Sequence, residues 1–206
     1  DGNLARVLAK GCWTPVEYFN DPQAWQVHSD NDNSPWQVLD KQEIVGSVHW
    51  SLSGRHNRQN ALAALLAARH AGVPLPRGLA ALSRFKNVKR RMELRGQVDG
   101  ITVYDDFAHH PTAIATTVDG LREKERAGRI LAVLEPRSNT MKLGVMKAAL
   151  PDSLTTADLV FCYAAGLGWD AAAALAPLGE KAVVEDDLER LVERVVSHAG
   201  AGDYIL

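Results

Sequence analysis

The sequence predicts an α/β protein. A Rossmann-like domain with a mainly parallel sheet and flanking helices fills the second half, preceded by a β-rich segment with helices of its own. Three observations carry this. From Arg129 onward, short apolar runs alternate with helical stretches, the rhythm of βα units whose sheet is covered on both faces. Asp99-Gly100 separates two alternating runs, a strong hairpin signal. The first 53 residues lack that rhythm and instead carry tryptophan-rich strand-like runs between polar turns.

The chain has 206 residues, 46% hydrophobic and 23% charged. That is ordinary globular composition, enough to build a core, and the length fits one large domain or two small ones. A net charge of -2 creates no field that would favour nucleic acid or an anionic membrane. Cys12 and Cys162 lie far apart and form no CxxC pair, so a disulfide framework is not expected and a reduced, cytoplasmic location is. No apolar run approaches the roughly 18 residues of a membrane span. The opening DGNLARVLAKG lacks a signal pattern. The chain closes on Asp203-Tyr-Ile-Leu206, which reads as a strand, and opens without a first strand-and-turn unit, so a fragment of a longer protein is expected.

Trp25–His28, Trp36–Leu39 and Val45–Trp50 have strand composition, with a polar turn over His28–Pro35. The tryptophans are expected to serve as core rather than as stacking platforms, because aromatics bury the largest areas. Ser53 to Arg69 reads as a largely buried helix stopped by Gly72 and Pro74. Its polar residues cluster at its start. His56, Asn57 and Asn60 share one face of the first turn. Amides there suit a nucleotide or another anion, and the alternative is that Asn57 caps the helix. A short helix is expected over Gly78–Arg84, then a domain boundary near Phe85–Val88 where helical pattern gives way to strand. The cluster Lys89-Arg90-Arg91 is either a solvated face or a phosphate clamp, since guanidinium forks grip phosphate bidentately.

The regular region follows: strands at Met92–Val98 and Ile101–Tyr104, a helix at Pro111–Ala127, a strand at Arg129–Leu134 and a helix at Lys142–Leu150. A strand at Leu159–Tyr163 leads to an alanine-rich helix at Trp169–Leu175. Last come a strand at Lys181–Val184, a helix at Leu188–His198 and the closing strand. Right-handed crossovers then make the sheet Rossmann-like.

Two polar loops stand at the carboxyl ends of strands, where open α/β sheets bind ligands. In ITVYDDFAHHPTAI, Ile101 to Ile114, a strand runs into Asp105, Asp106, His109 and His110 before Pro111 starts a helix. Ionisable groups packed this tightly are costly to bury without a partner or a task. A substrate or nucleotide loop is the stronger reading, a metal site the weaker, because adjacent side chains project in different directions. Glu135-Pro-Arg-Ser-Asn-Thr140 follows the Ile130–Leu134 strand and should share its edge with Asp106. It is either an ordinary capped turn or a site for a carboxylate-rich molecule. No GxxxxGK[ST] or GxGxxG phosphate loop, GxSxG elbow or HExxH pair occurs. A nucleotide bound here would therefore find its main phosphate cradle elsewhere.

GRHNRQNALAA (Gly54–Ala64), FKNVKRRME (Phe85–Glu93) and DDFAHHPTAI (Asp105–Ile114), in this order, resemble the Mur ligases, the ATP-dependent amide ligases of peptidoglycan synthesis. EPRSNTMK (Glu135–Lys142) inclines the resemblance to the recycling branch, which joins the murein tripeptide L-Ala-γ-D-Glu-meso-diaminopimelate to UDP-N-acetylmuramate. The alanine-adding branch is the alternative, and a non-catalytic Rossmann-like binding module another. The resemblance implies that residues 1–87 are the tail of a central ATP-binding domain and 88–206 most of a C-terminal domain. The family's P-loop, carbamylated lysine and principal Mg²⁺ ligands have no match here and would lie upstream, so this chain alone is expected to be inactive. ATP would phosphorylate the muramate carboxylate, and the peptide amine would displace phosphate. The resemblance puts Asn57 and Asn60 by the adenine, Arg91 at the terminal phosphate and Asp106 at the ribose. His109, Arg137, Ser138 and Asn139 would face the acyl phosphate and the incoming peptide. It implies ATP and Mg²⁺ as cofactors and no metal ligand within these residues.

Overall fold

The structure, a computed structural model, describes residues 2–30, 34–50, 52 and 54–206. Part of the polar turn expected at His28–Pro35 and the start of the helical stretch at Ser53 lie outside the described residues. Two compact units emerge: residues 2–30, 34–50 and 58–84 form the first; 52, 54–57 and 85–206 form the second.

The first unit holds an antiparallel sheet of β1 (Trp25–His28), β2 (Trp36–Asp40) and β3 (Glu43–Val48) in that order. Trp25, Trp36, Val38 and Val48 are buried against Leu62, Leu65 and Leu66 of α2 (Arg55–His70) and Leu79 of α3 (Leu75–Ser83). Each such large side chain contributes about 1.5–3 kcal/mol on burial, so Trp25 and Trp36 serve as core. Trp13 does not; it is fully exposed. Two further differences have local causes. α3 begins three residues before the expected Gly78, because Pro74, read as a stop, also takes the N-cap of the next helix with φ -57°. A seven-residue helix, α1 (Gly2–Leu8), forms with no buried residue and so leaves no apolar face in the sequence pattern.

The second unit is a six-stranded sheet: β4 (Glu93–Val98), β5 (Ile101–Asp105), β6 (Ile130–Leu134), β7 (Leu159–Tyr163), β8 (Ala182–Glu185) and β9 (Tyr204–Ile205), in the order β4-β5-β9-β6-β7-β8. Every pair is parallel except the β4–β5 hairpin. Its turn residues Asp99 and Gly100 both have positive φ, 50° and 78°, matching the twist of the strands they join. Alternation splits β6 and β7 between two cores. Ile130, Ala132, Val160 and Cys162 pack with Ile114, Val118 and Leu121 of α4 (Pro111–Lys124). Leu131 and Phe161 pack on the opposite face with Leu191 and Val195 of α7 (Leu188–His198).

The helix expected over Lys142–Leu150 is not continuous. A single turn, α5 (Asn139–Lys142), gives way at Gly144, whose φ is +69°, to a 3₁₀ turn at Lys147–Ala149. The ring of Trp169 sits where a Cβ on Gly144 would lie, 2.9 Å from its ideal position. α4 stops at Lys124 rather than Ala127, as Glu125 leaves helical geometry (φ -118°, ψ 78°) and accepts from the Tyr204 hydroxyl at 2.8 Å. The alanine-rich helix, α6 (Ala171–Leu175), starts two residues late because the Asp170 side chain caps it. Among the described residues, no helix is long and apolar enough to cross a membrane.

Candidate functional site

β5 and β6 both run parallel to β9, which lies between them, so their carboxyl ends emerge on one edge about 10 Å apart at two interstrand spacings. The Asp106 loop follows the first and the Arg137 loop the second. α4 and α7 cover opposite faces, and the order of strands reverses here as α7 returns the chain from β8 to the middle of the sheet. This is the switch-point geometry at which open α/β sheets hold ligands. Asp106 borders an open groove of ≈ 420 Å³ on the α7 side that is also lined by Val103, Asp105 and Val133.

The Asp106 carboxylate organises its loop. Oδ1 accepts from the Ala108 amide at 2.8 Å and from the Thr117 hydroxyl at 3.3 Å. Oδ2 accepts from the Met92 amide at 2.9 Å. One side chain thus ties together the loop, the buried face of α4 and the basic segment before β4. Asp105 faces Arg90, with Nε 3.6 Å from Oδ2. The Arg90 carbonyl accepts from the Phe107 amide at 2.8 Å, and its own amide donates to Glu93 Oε2 at 2.9 Å. Arg90 is therefore occupied. The Arg91 side chain is exposed and makes no hydrogen bond or ion pair among the described residues.

The two adjacent histidines divide their work. His110 is the N-cap of α4, its Nδ1 accepting from the Thr112 amide at 3.3 Å, with Pro111 at the first helical position. His109 is exposed. Its Nδ1 lies 3.0 Å from the Phe107 carbonyl, which can only accept, so Nδ1 is the donor in that bond and Nε2 takes no part in it. The Phe107 ring holds the imidazole edge-on at 5.0 Å between centroids.

On the neighbouring loop, Ser138 caps α5 by accepting from the Met141 amide at 3.3 Å. Arg137 is 80% exposed in its side chain, with Glu135 at 3.9 Å, and Asn139 is exposed at the first helical position. Asn57 lies in the first turn of α2 and Asn60 in the second. The helix starts at Arg55, so Asn57 sits inside it rather than at the cap, against the capping alternative. Asn57 and Asn60 are described with that helix alone. Among the described residues no group of three or more His, Cys, Asp or Glu side chains is arranged to hold a metal. The donor set does suit a polyphosphate nucleotide in part: an unpaired guanidinium on an edge of backbone and side-chain donors, with no opposing carboxylate on Arg91. It does not suit Mg²⁺. Sequence reasoning missed two supports of this site, Thr117 and Met92, because a hydrogen bond formed 11 or 14 positions away leaves no local pattern.

The family profile described as "Mur ligase, glutamate ligase domain" matches residues 90–206. The chain is 46% identical to UDP-N-acetylmuramate–L-alanyl-γ-D-glutamyl-meso-2,6-diaminoheptandioate ligase of Escherichia coli K12, covering 100% of the chain and 46% of that protein. It is 44% identical to the ligase of the same name from Haemophilus influenzae, over 97% of the chain and 45% of that protein. Among solved structures, a murein peptide ligase from Psychrobacter arcticus superposes with a TM-score of 0.71 at 39% identity, covering 98% of this chain and 45% of that one. The chain thus spans about half the length of the curated relatives it matches.

Proposed function

The chain belongs to the Mur ligase family, and on that premise we propose that it is part of an ATP-dependent amide ligase of peptidoglycan recycling. The complete enzyme would join L-alanyl-γ-D-glutamyl-meso-diaminopimelate to UDP-N-acetylmuramate in the cytoplasm. The observation that carries this reading is the identity of 46% along the whole chain to a ligase named for those substrates. Residues 1–87 would be the end of the central ATP-binding domain and 88–206 the C-terminal domain.

ATP, when bound, would supply the phosphoryl group that activates the muramate carboxylate. The residues of this chain would then act by positioning and by stabilising charge. Asn57 and Asn60 would lie by the adenine. Arg91 would meet the terminal phosphate; its free side chain, beside an Arg90 engaged with Asp105, supports that choice over Arg90. Asp106 would offer its remaining acceptor capacity to the ribose. His109, its Nδ1 engaged at the Phe107 carbonyl, would present Nε2 to accept a proton from the incoming ammonium or amine. Arg137 and Asn139 would hold peptide carboxylates, and Ser138 would set their loop. Mg²⁺ would be bound outside these residues.

A ligation assay on the complete gene product tests the reading. With ATP, Mg²⁺ and UDP-N-acetylmuramate, tripeptide should support phosphate release at least about tenfold better than L-alanine. Preference for alanine would assign the alanine-adding branch. Release with neither acceptor would leave only a binding module.

A further inference from the structure

We infer that Asp106 is a positioning residue for Arg91 and acts through the backbone on either side of it; this rests on the ligase reading above. Arg91 sits between two non-glycine residues in the left-handed region, Arg90 at φ 57° and Met92 at φ 50°. Such conformations persist where the surroundings hold them, and they cluster at functional sites. The holding groups come from residues 105–107. Asp106 Oδ2 accepts from the Met92 amide at 2.9 Å, and the Phe107 amide donates to the Arg90 carbonyl at 2.8 Å. Asp105 faces the Arg90 guanidinium at 3.6 Å, and the Arg91 carbonyl itself accepts from the Asn87 side chain. The backbone feet of Arg91 are therefore fastened, while its guanidinium is free of protein partners among the described residues.

A carboxylate has about four lone-pair directions, and three hydrogen bonds from the protein already use most of those on Asp106. Its carboxylate is spent chiefly on fixing the segment that carries Arg91. A cation whose backbone is set before the ligand arrives acts on developing charge without reorganising. Asp106→Asn tests this with little change of shape. In either orientation of the amide, an NH₂ faces an N–H or O–H that the carboxylate accepted, so one bond of the clasp is lost.

Turnover is measured in the complete enzyme for wild type, Asp106→Asn, Arg91→Ala and the double variant. If Asp106 acts through Arg91, Asp106→Asn lowers kcat by about tenfold or more with KM for ATP changed by less than about twofold. In the Arg91→Ala background it then changes kcat by less than about twofold, the non-additivity of residues in one network. A raised KM for ATP with kcat kept, in both backgrounds, overturns the inference and leaves Asp106 with the ribose contact as its only role. Equal kcat losses in both backgrounds overturn it too.

Amide exchange on the 206-residue chain separates this from failure of the ligase reading. Asp106→Ala, which removes both oxygens, should speed exchange at Met92 by about tenfold or more, with Ile130 and Val160 unchanged. Thr117→Val, which removes only the hydroxyl bond to Oδ1, should shift Met92 the same way by less. Unchanged exchange at Met92 in both variants overturns the clasp whatever the assay gives. Responsive exchange in a wild type that ligates no acceptor overturns the ligase reading and the catalytic half of the inference with it.

Discussion

Arg129 and Asp203 form a two-pronged ion pair immediately before β9, with Nε to Oδ1 at 3.0 Å and Nη2 to Oδ2 at 2.5 Å. Asp203 is 5% exposed and also accepts from the Gly200 amide at 2.8 Å. The Arg129 guanidinium, foremost, holds the Asp203 carboxyl below its usual pKa, and Asp203 raises that of Arg129 in return. A carboxyl whose folded-state pKa is depressed contributes stability above its unfolded value, about 3.9. That contribution is lost as pH falls from there through the lower folded value. Asp203→Asn should destabilise the chain by about 1.5–3 kcal/mol at neutral pH, the range for a hydrogen bond to a charged group. The difference from wild type should shrink as pH drops below about 4. Urea melts at three pH values measure it, and a gap that stays constant would show that Asp203 matters by shape alone.

Arg91→Ala in the complete enzyme should lower kcat by about 100-fold, the scale of losing one group that stabilises developing charge. KM for UDP-N-acetylmuramate should move by less than about threefold, because that contact is not to the muramate. The melting temperature should stay within about 2 °C, since the side chain is exposed and meets no partner among the described residues. Turnover near wild type would make Arg91 a surface charge.

Gly100→Ala should cost about 1–2 kcal/mol and lower the melting temperature by about 2–6 °C. The φ of Gly100 is +78°, and an added Cβ would stand 3.1 Å from Ala201 Cβ and 3.3 Å from its Cα. Asp99→Asn, by contrast, should be near neutral, since asparagine adopts the left-handed region readily. Equal losses in both variants would mean that the turn tolerates no change at all.

The thiols should react in two classes. Burial pushes the Cys162 thiol up to about 12, so it stays protonated and shielded near neutral pH. Cys12 is exposed, and the Thr14 hydroxyl, 3.4 Å from its sulfur and able to donate to the thiolate, is foremost in holding its thiol below the ordinary value. The thiolate is the nucleophile, so titration with a thiol reagent at about pH 8 should count one fast thiol in the folded chain and a second only in denaturant. Two fast thiols would show that the α4-side core opens.

Much of this was legible in the chain itself. The Asp99-Gly100 hairpin, the strand at Leu159–Tyr163 and the helix at Leu188–His198 stand where turn chemistry and periodicity put them. Local rules sufficed there because each element is stabilised by its own pattern and one buried face. They failed at Lys142–Leu150, where helix propensity lost to a positive φ at Gly144 and to the Trp169 ring packed against it from 25 residues away. Pro111 at the start of α4 was legible in sequence, but the partners of the paired histidines were not: His110 caps α4 through the Thr112 amide, and His109 turns to the Phe107 carbonyl.

The sequence by itself determined the α/β class, the two strand-end loops and the likeness that carries the function, because hydrophobic period, turn residues and motif order are local properties. Tertiary structure alone decided that β9, last in the chain, enters between β5 and β6, which sets the distance between those loops. It also decided that Asp106 spends its carboxylate on Met92, Ala108 and Thr117, and that Arg90 faces Asp105 while the Arg91 guanidinium meets no partner among the described residues. Hydrogen-bond capacity is finite and is claimed by whatever neighbours the fold supplies, so the occupant of each lone pair is a property of the folded chain.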